Sequence, residues 1–116
     1  MASLSLAAVG LTTAPSASAA VGDCPRAYVC VWDNGNYSGA PKWKSMGDLS
    51  NLWSANGLSI VNNGVAYPGG DHIRYKLTPQ VGPSESGCLH YPPDSNKTAF
   101  TGTRVTLDYA KWGAEC

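Results

Sequence analysis

Three short segments of alternating character limit the fold more than any other feature of this chain. In His72-Ile73-Arg74-Tyr75-Lys76-Leu77, the apolar Ile73, Tyr75 and Leu77 fall on one side, Arg74 and Lys76 on the other. Arg104-Val105-Thr106-Leu107-Asp108-Tyr109 repeats the pattern, with Val105, Leu107 and Tyr109 expected inward. Tyr28-Val29-Cys30-Val31-Trp32 alternates two faces that are both apolar, which suits a strand inside a sandwich. A two-residue period belongs to strands, because successive side chains point to opposite faces. Weaker strands are expected at 41–45, 58–62 and 88–91. One helical turn is expected over 48–53, where Asp48 caps and Leu49, Leu52 and Trp53 fall at i, i+3 and i+4. Asn34-Gly35, Asn56-Gly57, Asn63-Gly64 and Pro68-Gly69-Gly70 supply turns between these segments. Short strands so closely spaced predict an all-β antiparallel sandwich or small barrel. The longest irregular stretch is expected at 78–87, and loops of that length are often functional.

The domain begins only after residue 20. All charged residues lie at Asp23 or later, and before them an apolar run, Met1 to Leu11, leads to a small-residue stretch ending Ala17-Ser18-Ala19-Ala20. An apolar core followed by small residues at A-x-A spacing is the pattern of a secretory signal peptide, cleaved after Ala19 or Ala20. The run is about half the ~20 residues that a spanning helix needs, so no membrane association is expected once the signal is removed. Residues 21–116 then form one domain, expected to be secreted and monomeric. Export makes Cys24, Cys30, Cys88 and Cys116 an even set that should form two disulfides, with three connectivities open. No C-x-x-C pair or H-x3-5-H spacing supports zinc instead. The chain carries 8 Lys+Arg against 8 Asp+Glu, which removes the electrostatic basis for nucleic-acid binding.

A local signature stands in the first half. Trp32-Asp33-Asn34-Gly35-Asn36-Tyr37-Ser38-Gly39 sets an aromatic before four turn-formers, a second aromatic, one residue and a Gly. This describes a folded hairpin in which Tyr37 packs over the reversal and Gly39 takes a conformation that a Cβ disfavours. A degenerate echo is read in Cys88-Leu89-His90-Tyr91 followed by Phe100-Thr101-Gly102, as two Greek-key halves from one ancestral unit would give. The hairpin resembles the βγ-crystallin Greek key. More narrowly, Cys24–Trp32, Asn36–Gly39 and Asn56–Gly64 are similar to the secreted actinobacterial proteins grouped as peptidase inhibitor family I36. The resemblance implies a disulfide-stabilised βγ-crystallin-like Greek-key β-sandwich whose signature residues here are Trp32, Tyr37, Gly39, Ser59, Phe100 and Gly102. It implies an inhibitor of an extracellular protease, chiefly a thermolysin-like metalloprotease, and no enzyme. A killer-toxin-like or cell-wall carbohydrate-binding role on the same scaffold is the alternative.

Catalysis has little support: His72 follows Asp71 and His90 stands alone, both read as surface histidines, with no nucleophile context around them. No cofactor or metal is expected. Where many βγ-crystallins hold calcium, only Asn56 and Ser59 remain of the ligand pattern, and Asp33, Asn34 and Asn36 read more simply as turn residues. Of the tryptophans, Trp32 and Trp53 are expected buried, Trp43 and Trp112 partly exposed. An inhibitory loop must be exposed and stiff, and 78–93 is rich in proline with Cys88 as a covalent anchor. Thermolysin-like enzymes, as the resemblance implies, accept an apolar residue after the scissile bond. The family's metalloprotease inhibitor presents one directly after a disulfide-bonded Cys. Cys88-Leu89 matches that dipeptide, with His90 and Tyr91 as flanking contacts. An inhibitor should therefore show a protruding rigid loop, and a sugar binder coplanar exposed tryptophans.

Overall fold

The computed structural model describes residues 23–116, so the expected signal segment lies outside the described residues. Eight strands follow in order: β1 Tyr28–Trp32, β2 Trp43–Ser45, β3 Leu49–Ser54, β4 Leu58–Asn63, β5 His72–Pro79, β6 Glu85–Leu89, β7 Lys97–Phe100 and β8 Val105–Gly113. They form two antiparallel four-stranded sheets, ordered β2-β1-β4-β7 and β3-β8-β5-β6. Each half of the chain gives three strands to one sheet and its third strand to the other. β3 leaves the first half to pair with β8, and β7 leaves the second to pair with β4. This exchange makes two interlocked Greek keys, and neither half has its full sheet without the other.

Burial follows from the alternation in β1. Val29 and Val31 face the other sheet and join Leu58, Ile60, Ile73, Leu77, Leu89, Val105, Leu107 and Ala110 in the core. Cys30 and Trp32, on the opposite face, form a second buried cluster with Cys24 and Val61, covered by Tyr28 and Tyr37. A strand with two apolar faces therefore serves two cores.

Several expectations change. Residues 49–54 are strand β3, not a helical turn. Its partner β8 supplies a ladder from Leu49↔Ala110 to Ser54↔Val105, which outweighs a short stretch of helical spacing. Asp48 caps nothing; its carboxylate accepts the Trp112 N–H at 2.9 Å. Leu49 and Leu52 both pack on the core although they are three residues apart. Asn51 between them, at φ 56°, supplies the change of phase. That change leaves Trp53 52% exposed, where burial was expected.

Alternation in β8 breaks similarly. A register shift between Lys76 and Leu77 on β5 takes up Asp108 as a bulge. Ala110 rather than Tyr109 then fills the core, and Tyr109 is half-buried with the Lys111 ammonium 5.3 Å from its ring. The stretch 78–87 is mostly hairpin: β5 runs to Pro79 and β6 begins at Glu85, three residues before the strand start expected there. The internal echo also shifts. β5 and β6 are the counterparts of β1 and β2, while Phe100-Thr101-Gly102 leads from β7 to β8 as Ser54–Gly57 leads from β3 to β4. Gly57 and Gly102 share a left-handed φ, 91° and 105°.

Candidate functional site

The β1–β2 connection is closed from within. Asn34 Oδ1 accepts the N–H groups of Asn36 and Ser38 at 3.2 and 2.9 Å, and its amide donates to the Ser38 carbonyl. The buried Ser59 hydroxyl donates to the Asn34 carbonyl at 2.8 Å and accepts the Tyr37 N–H at 3.2 Å. Tyr37 (φ 58°) sets its ring edge-on to Trp32, centroids 5.7 Å apart, and burial pushes its phenol pKa upward. The Trp32 indole N–H donates to the carbonyl of Gly39, itself at φ 75°. The signature residues of the first half are thus braces of a folded-back hairpin. The side-chain oxygens of Asn34 and Ser59 are engaged with backbone, and Asp33 pairs with Lys42 at 3.8 Å.

The corresponding β5–β6 hairpin is shorter and open. Its ladder ends at Leu77↔Glu85, leaving residues 80–84 as the loop. Thr78 and Ser84 hydroxyls meet at 3.2 Å across the neck, and Thr78 also donates to the Asp108 carboxylate on the bulge. The Gln80 N–H donates to the Arg104 carbonyl at 2.8 Å. Gly82, at φ 104°, makes the turn. Beyond this stem Val81 is 76% exposed, the most exposed large hydrophobic side chain among the described residues.

Cys88 lies farther along β6, opposite Arg74, and is bonded to Cys116. Cys24 pairs with Cys30, so of the three connectivities the sequential one is present. Arg74 clamps the last residues through the carbonyls of Ala114 and Glu115, at 2.7 and 2.9 Å. Leu89 differs from the expectation of an exposed reactive residue. It is 4% exposed, paired with Ile73 and packed in the core, and its carbonyl accepts the Asn62 amide. The Cys88–Leu89 bond stands in a strand rather than on a protruding loop. His90 and Tyr91 follow it, half-buried.

His72 is not a surface residue. It is 3% exposed and links two groups: Asp71 Oδ1 at 2.6 Å through Nδ1, and His90 Nδ1 at 2.8 Å through Nε2. Tyr91 stacks edge-on against its ring at 5.7 Å. The Tyr67 N–H on Oδ2, and then the His72 imidazole, hold the Asp71 carboxyl below its ordinary pKa. Cys116 Sγ lies near both imidazoles. Its disulfide withholds the thiolate that metal ligation requires. The chain of Asp71, His72 and His90 ties the start of β5 to the segment after β6. Only the adjacency of Asp71 and His72 in sequence hints at it; His90 joins through the β5–β6 pairing.

Residues 17–67 match the family model described as peptidase inhibitor family I36. No curated protein and no solved structure matches the chain. The matched span contains β1 to β4 and the braced hairpin, and ends before β5. It agrees with the resemblance seen over Cys24–Gly64, and the family it names is one of peptidase inhibitors.

Proposed function

We propose that this chain, which carries the peptidase inhibitor family I36 sequence over residues 17–67, is secreted and blocks an extracellular thermolysin-like metalloprotease as a monomer. The contacting element in this reading is the β5–β6 hairpin loop, 80–84, and the observation that carries it is Val81. A cleft-filling inhibitor needs a projecting apolar group on a stem that loses little freedom on binding. Val81 projects at 76% exposure. The Thr78–Ser84 contact, the Thr78 bond to Asp108, the Gln80 bond to Arg104 and the flanking Pro79 and Pro83 stiffen its stem. The Cys88–Cys116 disulfide ties the far end of β6 to the segment after β8. In this account Cys88, Leu89, His90 and Tyr91 support the loop from below. The two disulfides agree with an oxidising destination.

The test is a titration of the purified oxidised protein against thermolysin, with subtilisin and trypsin in parallel. Stoichiometric loss of thermolysin activity alone is the expected result. Full thermolysin activity at excess protein overturns the metalloprotease assignment, and inhibition of subtilisin or trypsin instead moves the target to serine proteases.

A further inference from the structure

We propose that the groove between β2 and β3 is a binding site for a neutral pyranose oligosaccharide, with the exposed Trp53 as its stacking face and the half-buried Trp43, packed on the core, as its wall. The groove encloses about 520 Å³ and is lined by Asp33, Lys42, Trp43, Asn51, Trp53 and Asn56, among others. That volume lies within the roughly 300–1,000 Å³ usual for small-ligand clefts. It opens where the strand exchange leaves two sheet edges side by side, since β2 ends one sheet and β3 ends the other.

Trp53 is the residue the fold does not account for. Leu49 and Leu52 do the packing of β3, yet the neighbouring indole is left 52% exposed. Large exposed aromatics in a concave, polar-rimmed setting mark binding surfaces. Both indoles are steadied by cations, Arg104 at 4.2 Å from the Trp53 ring and Lys42 at 5.0 Å from that of Trp43. Asn51 holds a left-handed φ of 56° at the groove wall, a conformation that costs free energy and recurs at ligand sites.

The chemistry selects the ligand. A pyranose offers a C–H face that stacks on indole and a rim of hydroxyls that bond amides and carboxylates. The exposed Asn51, Asn56 and Asp33 supply such groups. Ser54 does not, because its buried hydroxyl donates to the Asp33 carbonyl at 2.9 Å. Asp33 and Lys42 offset each other at 3.8 Å, which favours an uncharged sugar over a phosphate. A peptide adding to the free edge of β3 needs an unbroken row of backbone groups, and the left-handed Asn51 interrupts that row.

The probes are chitotetraose and cellotetraose, followed by calorimetry and tryptophan emission on the full protein. Saturable binding of one of them is expected, with a blue shift as Trp53 is covered. Trp53→Ala should weaken it by about tenfold or more. Asn56→Ala, which removes a hydrogen-bonding amide only, should weaken it less. Circular dichroism and urea denaturation of each variant establish folding independently of sugar binding and of protease inhibition. No saturable binding of either probe by the wild-type protein overturns the proposal, as does binding that a folded Trp53→Ala variant retains in full. Sugar binding without protease inhibition, or the reverse, separates the fate of this site from that of the hairpin loop.

Discussion

The division of labour between Val81 and Leu89 can be tested by two truncations that should move opposite quantities. Leu89 is 4% exposed and packs in the core. Leu89→Ala deletes three carbons, about 2.4 kcal/mol at ~0.8 kcal/mol per buried carbon, and leaves a cavity that adds to it. A total near 3 kcal/mol is expected, a large part of the roughly 5–14 kcal/mol that a domain of this size holds. With a urea slope of about 1.5 kcal/mol/M, the midpoint falls by about 2 M. Val81, 76% exposed beyond the last pair of the ladder, should change stability by no more than about 0.5 kcal/mol when cut to Ala. Inhibition should reverse the order. Val81→Ala removes the projecting apolar group and weakens thermolysin inhibition by about tenfold or more. Leu89→Ala, assayed well below its denaturation midpoint, retains inhibition within a few-fold. The assays are urea denaturation followed by tryptophan emission, and inhibition titrations at fixed enzyme. If Leu89→Ala unfolds like the wild type and abolishes inhibition, the loop assignment fails and the Cys88–Leu89 bond is the contact. If Val81→Ala inhibits unchanged, the hairpin is not what enters the cleft.

Two further outcomes follow from single side chains. Ser59→Ala leaves the Asn34 carbonyl and the Tyr37 N–H without their shared partner. It should cost about 2–3 kcal/mol in urea unfolding, and an unchanged midpoint would mean that the hairpin brace is redundant. Asp71 has a carboxyl pKa lowered by the Tyr67 N–H and then by His72. A lowered folded-state value stabilises the protein above the ordinary carboxylate pKa of about 3.9, and that stabilisation is lost as pH falls through the lower value. The wild-type urea midpoint should therefore drop more steeply below about pH 4 than that of Asp71→Asn, and parallel profiles would remove Asp71 from the acid limb.

The fold class and most strands were legible because alternation and turn residues are local signals. β1 carried them in full, β5 and β8 through most of their length, and β4 more weakly. What escaped was set by distant partners. The strand at 49–54 exists because β8 pairs with it, and a six-residue window cannot separate its spacing from one helical turn. Trp53 came out exposed because Asn51 changes the strand's phase. The burial of His72 depends on His90, eighteen residues away in sequence. Residue type at either position carries none of these facts.

The two halves differ most where they correspond, and this bears on where function sits. In the first half the β1–β2 loop is folded back and locked by Asn34, Tyr37, Ser59 and the Trp32 indole. Such locking needs particular residues at particular positions, which makes the segment recognisable and also denies it reach. The β5–β6 loop is tied only at its neck, by Thr78, Ser84 and Gln80. Its tip is therefore free to vary, to project Val81, and to carry no signature. The residues that identify the fold are thus its braces, and the loop best able to meet a partner is the one whose sequence is least distinctive. The β2–β3 groove is the complement of this pattern. It lies wholly within the matched span 17–67, yet its key aromatic was expected in the core, because a strand-phase change opposite the Asp108 bulge cannot be read from Leu52-Trp53-Ser54 alone.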